Sequence, residues 1–292
     1  MIVSLPKLPV WISAALLWPV TPLIAQEPVN DTAIVENTDL SDAPVTAWGS
    51  VLQMLPQGFE NILPGGPVHI LFVLALLFLS RRSGPLIWQL GLFALGYISA
   101  LTLGAYGIIS ISPQVVFPLM AVSVVILAID NIFGKVFGMR RVILVFGLAL
   151  IHGFGLANGF DASVPAILPA LVGYIIGIEM ALLLVAAIVG ISIWEAIRVD
   201  QGVNEVLQSY AIYGVLAAAA LALIALNPPF LVAILHQPIW VFAAPLTALF
   251  ALCALSVTMR DRIDAYHHIV AVPVSAAMIG LCLYWWLAPI LL

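Results

Sequence analysis

Charge is what this chain has least of. Nine Lys and Arg and fourteen Asp and Glu are spread over 292 residues, 8% of the sequence, against 64% apolar residues. Soluble domains carry charge at roughly a quarter of their positions, so this scarcity excludes a water-soluble globular protein. Cations are too few to build a basic nucleic-acid surface, and the formal net charge of -5 says little else about partners. Cysteine is almost missing too. Cys253 and Cys282 both lie in apolar runs and form no Cys-x-x-Cys pair, so they read as small buried hydrophobes with no message about redox compartment. The chain also lacks a Gly-x-Ser-x-Gly elbow, a His-Glu-x-x-His helix and a paired-Asp motif. Neither an enzyme nor a permanently bound cofactor is therefore expected.

What is present is a series of apolar stretches of twenty residues or more, the mark of a polytopic, all-α membrane helix bundle. The lipid bilayer is its first partner. Residues 1–25 carry one Lys, a short apolar centre and Ala25 before a polar turn, which suits a cleavable signal peptide; an uncleaved first helix is the alternative. Residues 26–60 are acidic and rich in Asp, Asn, Thr and Pro, and read as an extracytoplasmic linker. The remainder, 61–292, is a single transmembrane domain with about eight expected spans: 62–80, 86–110, 114–134, 142–160, 164–194, 207–226, 238–258 and 268–290. Residues 227–237, bounded by prolines, are too short to cross and read as an outer loop or re-entrant piece.

The loops orient these spans. Arg81 and Arg82, then Lys135, Arg140 and Arg141, then Arg198, then Arg260 and Arg262 follow alternate spans, and the intervening loops hold no Lys or Arg. The positive-inside rule makes the charged side cytoplasmic, with both termini outside, as expected for a multi-pass protein of a bacterial-type inner membrane. Counting from those cations at about 1.5 Å per residue places His69, twelve residues before Arg81, and His152, eleven after Arg141, about 16 to 18 Å up, near the bilayer midplane. Tyr97 and Glu179 fall somewhat further outward, and Asp130 and Asn131 near the inner surface.

A titratable side chain at such depth usually faces the bundle interior or a polar path. His152, His69 and Glu179 are accordingly the candidate metal-binding residues, with Asp130, Asn131 and Tyr97 as path or supporting residues. Each has a plainer reading. The imidazoles could bridge helices through hydrogen bonds, Glu179 could pair with one of them, Tyr97 could be packing, and Asp130 and Asn131 could be interfacial helix-end groups. His267 and His268 read as a solvated juxtamembrane pair, and His236 as loop. The spacings Gly155-x-x-x-Gly159 and Gly173-x-x-x-Gly177 suggest that the fourth and fifth spans pack together.

Five blocks, GGPVHILFVLALLFL, LFALGYISALTL, AVSVVILAIDN, VFGLALIHGFGLA and GYIIGIEM, resemble in order the hallmark segments of the hydrogenase and urease accessory membrane proteins of the HupE/UreJ type, over residues 64–185. The resemblance implies a compact helical membrane protein associated with a divalent metal. Nickel is the first candidate, with cobalt or zinc behind it, and the role is that of a permease or of an accessory to the maturation proteins of a metalloenzyme. The chain departs from the family pattern at Val68, Tyr97, Phe117 and Ile175, where Asp, His, Glu and Asn respectively are common. Losing an acid and an imidazole from a cation path removes charge compensation and ligands. A non-transporting assembly or interaction module is therefore the alternative.

The one-sided cations make the topology testable. A reporter active only in the cytoplasm is expected to work when fused after Arg82, Arg141, Arg198 or Arg262 and to fail after Ser112 or Asp161; activity at Asp161 would overturn the orientation.

Overall fold

The computed structural model describes residues 47–79, 83–134, 138–200, 205–259 and 264–291. The expected signal peptide, most of the linker, and Arg81, Arg82, Lys135, Arg260 and Arg262 lie outside the described residues. In chain order the helices are α1 (Ala47–Glu60), α2 (Pro67–Leu79), α3 (Ser83–Ala105), α4 (Pro113–Phe133), α5 (Met139–Ala157), α6 (Ile167–Asp200), α7 (Val206–Leu226), α8 (Pro229–Leu235), α9 (Trp240–Thr258) and α10 (Val272–Leu291), the last entered through a π-helical turn, Tyr266–Ala271. No strand occurs among the described residues, so the all-α polytopic bundle is as expected. Residues from Val45 to Leu283 form one unit; of the other, Met1–Pro44 with Tyr284–Leu292, only the end of α10 is described.

Seven helices, rather than eight, are long and apolar enough to cross a bilayer among the described residues. The expected first span is α2, an apolar helix of 13 residues. At about 1.5 Å per residue it reaches about 20 Å, short of a hydrocarbon core of about 30 Å. Its start is delayed by the Pro64-Gly65-Gly66 turn, where Gly65 N–H donates to Glu60 O and Gly66 N–H to Ile62 O, closing off α1 before Pro67 opens α2. Pro at the first helical position costs no hydrogen bond. The same device starts α4 at Pro113 after Ser112. Residues 227–237 contain the two-turn helix α8, bracketed by Asn227 and His236 in left-handed conformation (φ 39° and 49°). The 34-residue α6 is about 51 Å long, starting three residues after and ending six residues after the expected 164–194 span.

A second departure concerns α1. Residues 47–60, read from sequence as the end of a linker, form a helix laid along α6. Its buried stripe is Ser50, Met54 and Gly58, at i, i+4 and i+8. Trp48, Leu52, Leu55 and Phe59 recur at helical spacing beside it, hidden by Pro56 and by the acidic, Pro-rich stretch before the helix, and the stripe itself carries two small residues, Ser50 and Gly58. They suit the partner face, because a Cβ on Gly58 would strike the Tyr174 backbone, one on Gly173 the Val51 backbone, and one on Gly177 Leu55 O and Phe59 N. Gly173 and Gly177 thus serve α1 and Gly155 faces Met120 of α4, so of the four glycines only Gly159 lies where the fourth and fifth spans meet, against Tyr174, whose hydroxyl also donates to Leu156 O at 3.1 Å. The tightest partner of α5 is α3, where a Cβ on Gly96, Gly104 or Gly153 would collide with Ala149, Ala157 or the Tyr97 carbonyl respectively.

Polar side chains fasten the second half of the bundle. Tyr213 of α7 inserts its hydroxyl into the α6 ladder, donating to Ser192 O at 2.9 Å and accepting from Ala196 N–H at 2.8 Å, while Ser209 donates to Glu195 at 2.5 Å. With no water in the hydrocarbon core, such groups find their partners on neighbouring helices.

The glycine contacts predict the stability of α1 docking. Gly177→Ala is expected to destabilise the protein by about 1–3 kcal/mol, because backbone cannot yield as a side-chain tip can. Gly190→Ala, with open space around its Cβ, should be neutral or slightly stabilising. Thermal unfolding in detergent measures both; equal midpoints for the two variants would show that α1 does not rest on Gly177.

Candidate functional site

Two buried polar centres occupy the bundle formed by α2 to α6. The first is a histidine pair. His152 of α5 is fully buried and His69 of α2 nearly so, with ring centroids 5.0 Å apart in an edge-to-face arrangement. Phe72, one turn after His69, lies 4.3 Å from the His152 ring and stacks on Phe93 of α3, itself 5.9 Å from His152. Apolar faces thus hold both imidazoles in place.

Ser123 of α4 engages Nε2 of His152. Its hydroxyl donates to Met120 O at 2.6 Å and also lies 2.7 Å from His152 Nε2. A serine hydroxyl has one proton. With that proton on Met120 O, Ser123 Oγ accepts from Nε2–H, and the bare lone pair of His152 is on Nδ1. That Nδ1 is buried without a hydrogen-bond partner, as is His69 Nε2. A buried polar atom left unpaired costs about 1–3 kcal/mol and is uncommon in native structures. Both nitrogens lie on imidazoles whose rings meet edge to face. Gly66 lies against the pair as well, since a Cβ there would press on His69 Nδ1 at 3.0 Å.

Glu179 does not join the imidazoles. Half-buried on α6, it accepts the Tyr97 hydroxyl of α3 at 2.7 Å. Tyr97 in turn packs on Phe93, at 5.3 Å, and through it borders the histidine pair. The carboxylate is therefore a neighbour of the pair by way of an aromatic relay. Among the described residues no group of three or more His, Cys, Asp or Glu side chains converges to hold a metal ion, so His69, His152 and Glu179 are not a closed ligand set.

The second centre is built on Arg141. Read from sequence as one of the cytoplasmic loop cations, it is a helical residue of α5 with 1% of its surface exposed. Its guanidinium donates to Asp130 Oδ2 at 2.6 Å, to Gln89 Oε1 at 2.9 Å and to Ala75 O at 3.3 Å, joining α4, α3 and α2. Asn131 adds a bond to the same Ala75 carbonyl at 2.8 Å. Exposed Arg140 takes the other oxygen of Asp130. Both oxygens of Asp130 are therefore engaged by arginine, which leaves it a structural counter-ion rather than an open carboxylate. The loose ends here are the amide atoms Gln89 Nε2 and Asn131 Oδ1.

Ser123, Gln89 and Arg141 were missed from sequence, yet helical phase marks them. Arg141, Val145, Leu148, Ala149 and His152 are the buried face of α5, and eleven residues is close to three whole turns. The remaining histidines stand apart: His267 and His268 face each other at 5.3 Å in the π-helical turn, and His236 ends α8.

Seven long apolar helices among the described residues define a polytopic membrane protein, with its two buried polar centres within α2 to α6. The HupE / UreJ protein family matches residues 37–227, well over half of the chain, and the chain belongs to that family. The match runs from before α1 to the end of α7, beyond the 64–185 seen from its motifs. No curated protein and no solved structure matches it.

Arg141 and Asp130 differ from Arg140 in what their removal leaves behind. Asp130→Asn strands a buried guanidinium and is expected to cost about 3–5 kcal/mol. Arg140→Gln removes an exposed partner and should cost about 0–1 kcal/mol. Thermal unfolding of the two variants checks the difference; a stable Asp130→Asn protein would show that Arg141 is compensated otherwise.

Proposed function

We propose that this protein is a permease for a divalent cation of the nickel type, with cobalt and zinc as further candidates, moved through the inner membrane by way of the His69–His152 pair. One observation carries the reading: two facing imidazoles inside the bundle each present an unpartnered nitrogen, His69 Nε2 and His152 Nδ1. Neutral imidazole suits these borderline metals. Two ligands fewer than a structural site requires suit passage, because a carrier must release what it binds. Glu179, held by Tyr97 at the edge of the pair, offsets the charge of an ion whose uncompensated presence in the membrane costs several kcal/mol. Ser123 keeps the Nδ1 lone pair of His152 turned out of the Nε2 hydrogen bond. Metal is cargo on this reading, and delivery to metalloenzyme maturation proteins follows from it.

A second reading, a non-transporting assembly module, is supported by the way Phe72 and Phe93 close on His152 and by the missing third ligand among the described residues. Metal uptake into vesicles containing the purified protein separates the two. His152→Ala and His69→Ala are each expected to lower nickel uptake at least tenfold, and Glu179→Gln to lower it strongly. Protein in the membrane should stay at parent level, since losing one interhelical hydrogen bond costs about 1 kcal/mol there. Full uptake in the histidine variants, or none in the parent for nickel, cobalt or zinc, would leave the packing role as the account of the pair.

A further inference from the structure

Between α4 and α5, at the end of the bundle where Arg140 stands, an open groove of about 530 Å³ faces away from the core. Ile126, Ile129 and Phe133 form one wall, Ile143 lies on the other, and all four are exposed. The seven steps from Ile126 to Phe133 run for about 10 Å along the helix. Its mouth is polar, with Arg140 and Asp130 both lining it.

The charges at that mouth do not cancel. One carboxylate, Asp130, serves two guanidiniums, leaving a surplus of one positive charge. Arg141 spends its donors inside, on Asp130, Gln89 and Ala75. Arg140 is different: its side chain is 76% exposed, and of its five N–H donors Asp130 takes a share through Nη2 alone. No acidic residue occupies the first turn of α5, so the positive end of that helix adds to the same field.

We propose that this groove binds an anionic phospholipid, one acyl chain lying against Ile126, Ile129, Phe133 and Ile143 and the phosphate meeting Arg140. A purely apolar groove would accept any lipid chain. The uncompensated cation at its mouth selects by headgroup, and the apolar wall below selects a phosphate that carries a chain over one free in water.

The test uses the full-length protein in nanodiscs of phosphatidylcholine doped with phosphatidylglycerol, with the lipid retained after detergent extraction quantified by mass spectrometry. The parent is expected to retain phosphatidylglycerol roughly fivefold above its bulk proportion, the preference about one interfacial basic residue confers. Arg140→Gln should bring retention down to the bulk proportion. Ile143→Trp, which fills the groove and leaves the charge, should do the same, and an unchanged unfolding midpoint shows that each variant is folded. Soluble glycerol phosphate should not displace the retained lipid. The proposal is overturned by bulk-proportion retention in the parent, by enrichment surviving either substitution, or by displacement with glycerol phosphate, which would mark a free-phosphate site.

Discussion

A guanidinium that cannot reach water must find its anion inside the protein, and the packing of α2, α3, α4 and α5 follows from that requirement at Arg141. A charge buried without a partner is too expensive to keep, so Asp130, Gln89 and the Ala75 carbonyl are drawn to it from three other helices. Lipid supplies no hydrophobic force for helix association, and the bonds that compensate one cation do part of that work. Asn131, on the same Ala75 carbonyl, extends the tie by one residue along α4. Because the buried face of α5 runs from Arg141 to His152, the bonds at its lower end also fix the rotation that turns His152 inward three turns above.

Glycine decides how near the helices come once that rotation is set. At Gly153, next to His152, α5 lies so close to Tyr97 of α3 that no Cβ fits. That approach brings Phe93 against the imidazole and positions Tyr97 to donate to Glu179 of α6. The contact that seats the histidine thus also carries the carboxylate to its edge. On the far face of α6, Gly173 and Gly177 admit the backbone of α1, so one helix is gripped from two sides without long side chains.

Much of this was legible in the sequence because membrane solvation writes large patterns. Apolar runs marked most helices, and counting residues from the cytoplasmic cations put His69 and His152 at one depth, where the structure brings their rings into contact. What was not legible has specific causes. Helix α1 follows an acidic, Pro-rich stretch and contains Pro56, which concealed the helical spacing of Trp48, Leu52, Leu55 and Phe59. Helix α2 is cut short by a Pro-Gly-Gly turn that an apolar run beginning at Ile62 conceals. Arg141 was counted with its neighbour Arg140 as a loop charge, although successive helical residues point about 100° apart and only one of the pair can face in. A glycine spacing, finally, states that something packs there and is silent about what: Gly173 and Gly177 lie against α1, which the sequence reading did not treat as a helix.

The two polar centres differ in the kind of atom they leave unpaired. Around Arg141 the buried guanidinium has its anion in Asp130, the surplus charge lies outside on exposed Arg140, and the loose ends inside are single atoms of two amides whose other atoms are bonded. Such a cluster holds helices and has little capacity left for an incoming ion. At the histidine pair the unsatisfied atoms are two ring nitrogens, the other nitrogen of His152 being engaged with the Ser123 hydroxyl. Phe72, Phe93 and the close approach of α3 to α5 enclose those nitrogens in an apolar surrounding. A protein needing only to join α2 to α5 could place two leucines at these positions at lower cost. Keeping imidazoles there, with their nitrogens unpaired, is intelligible if something that binds nitrogen passes between them.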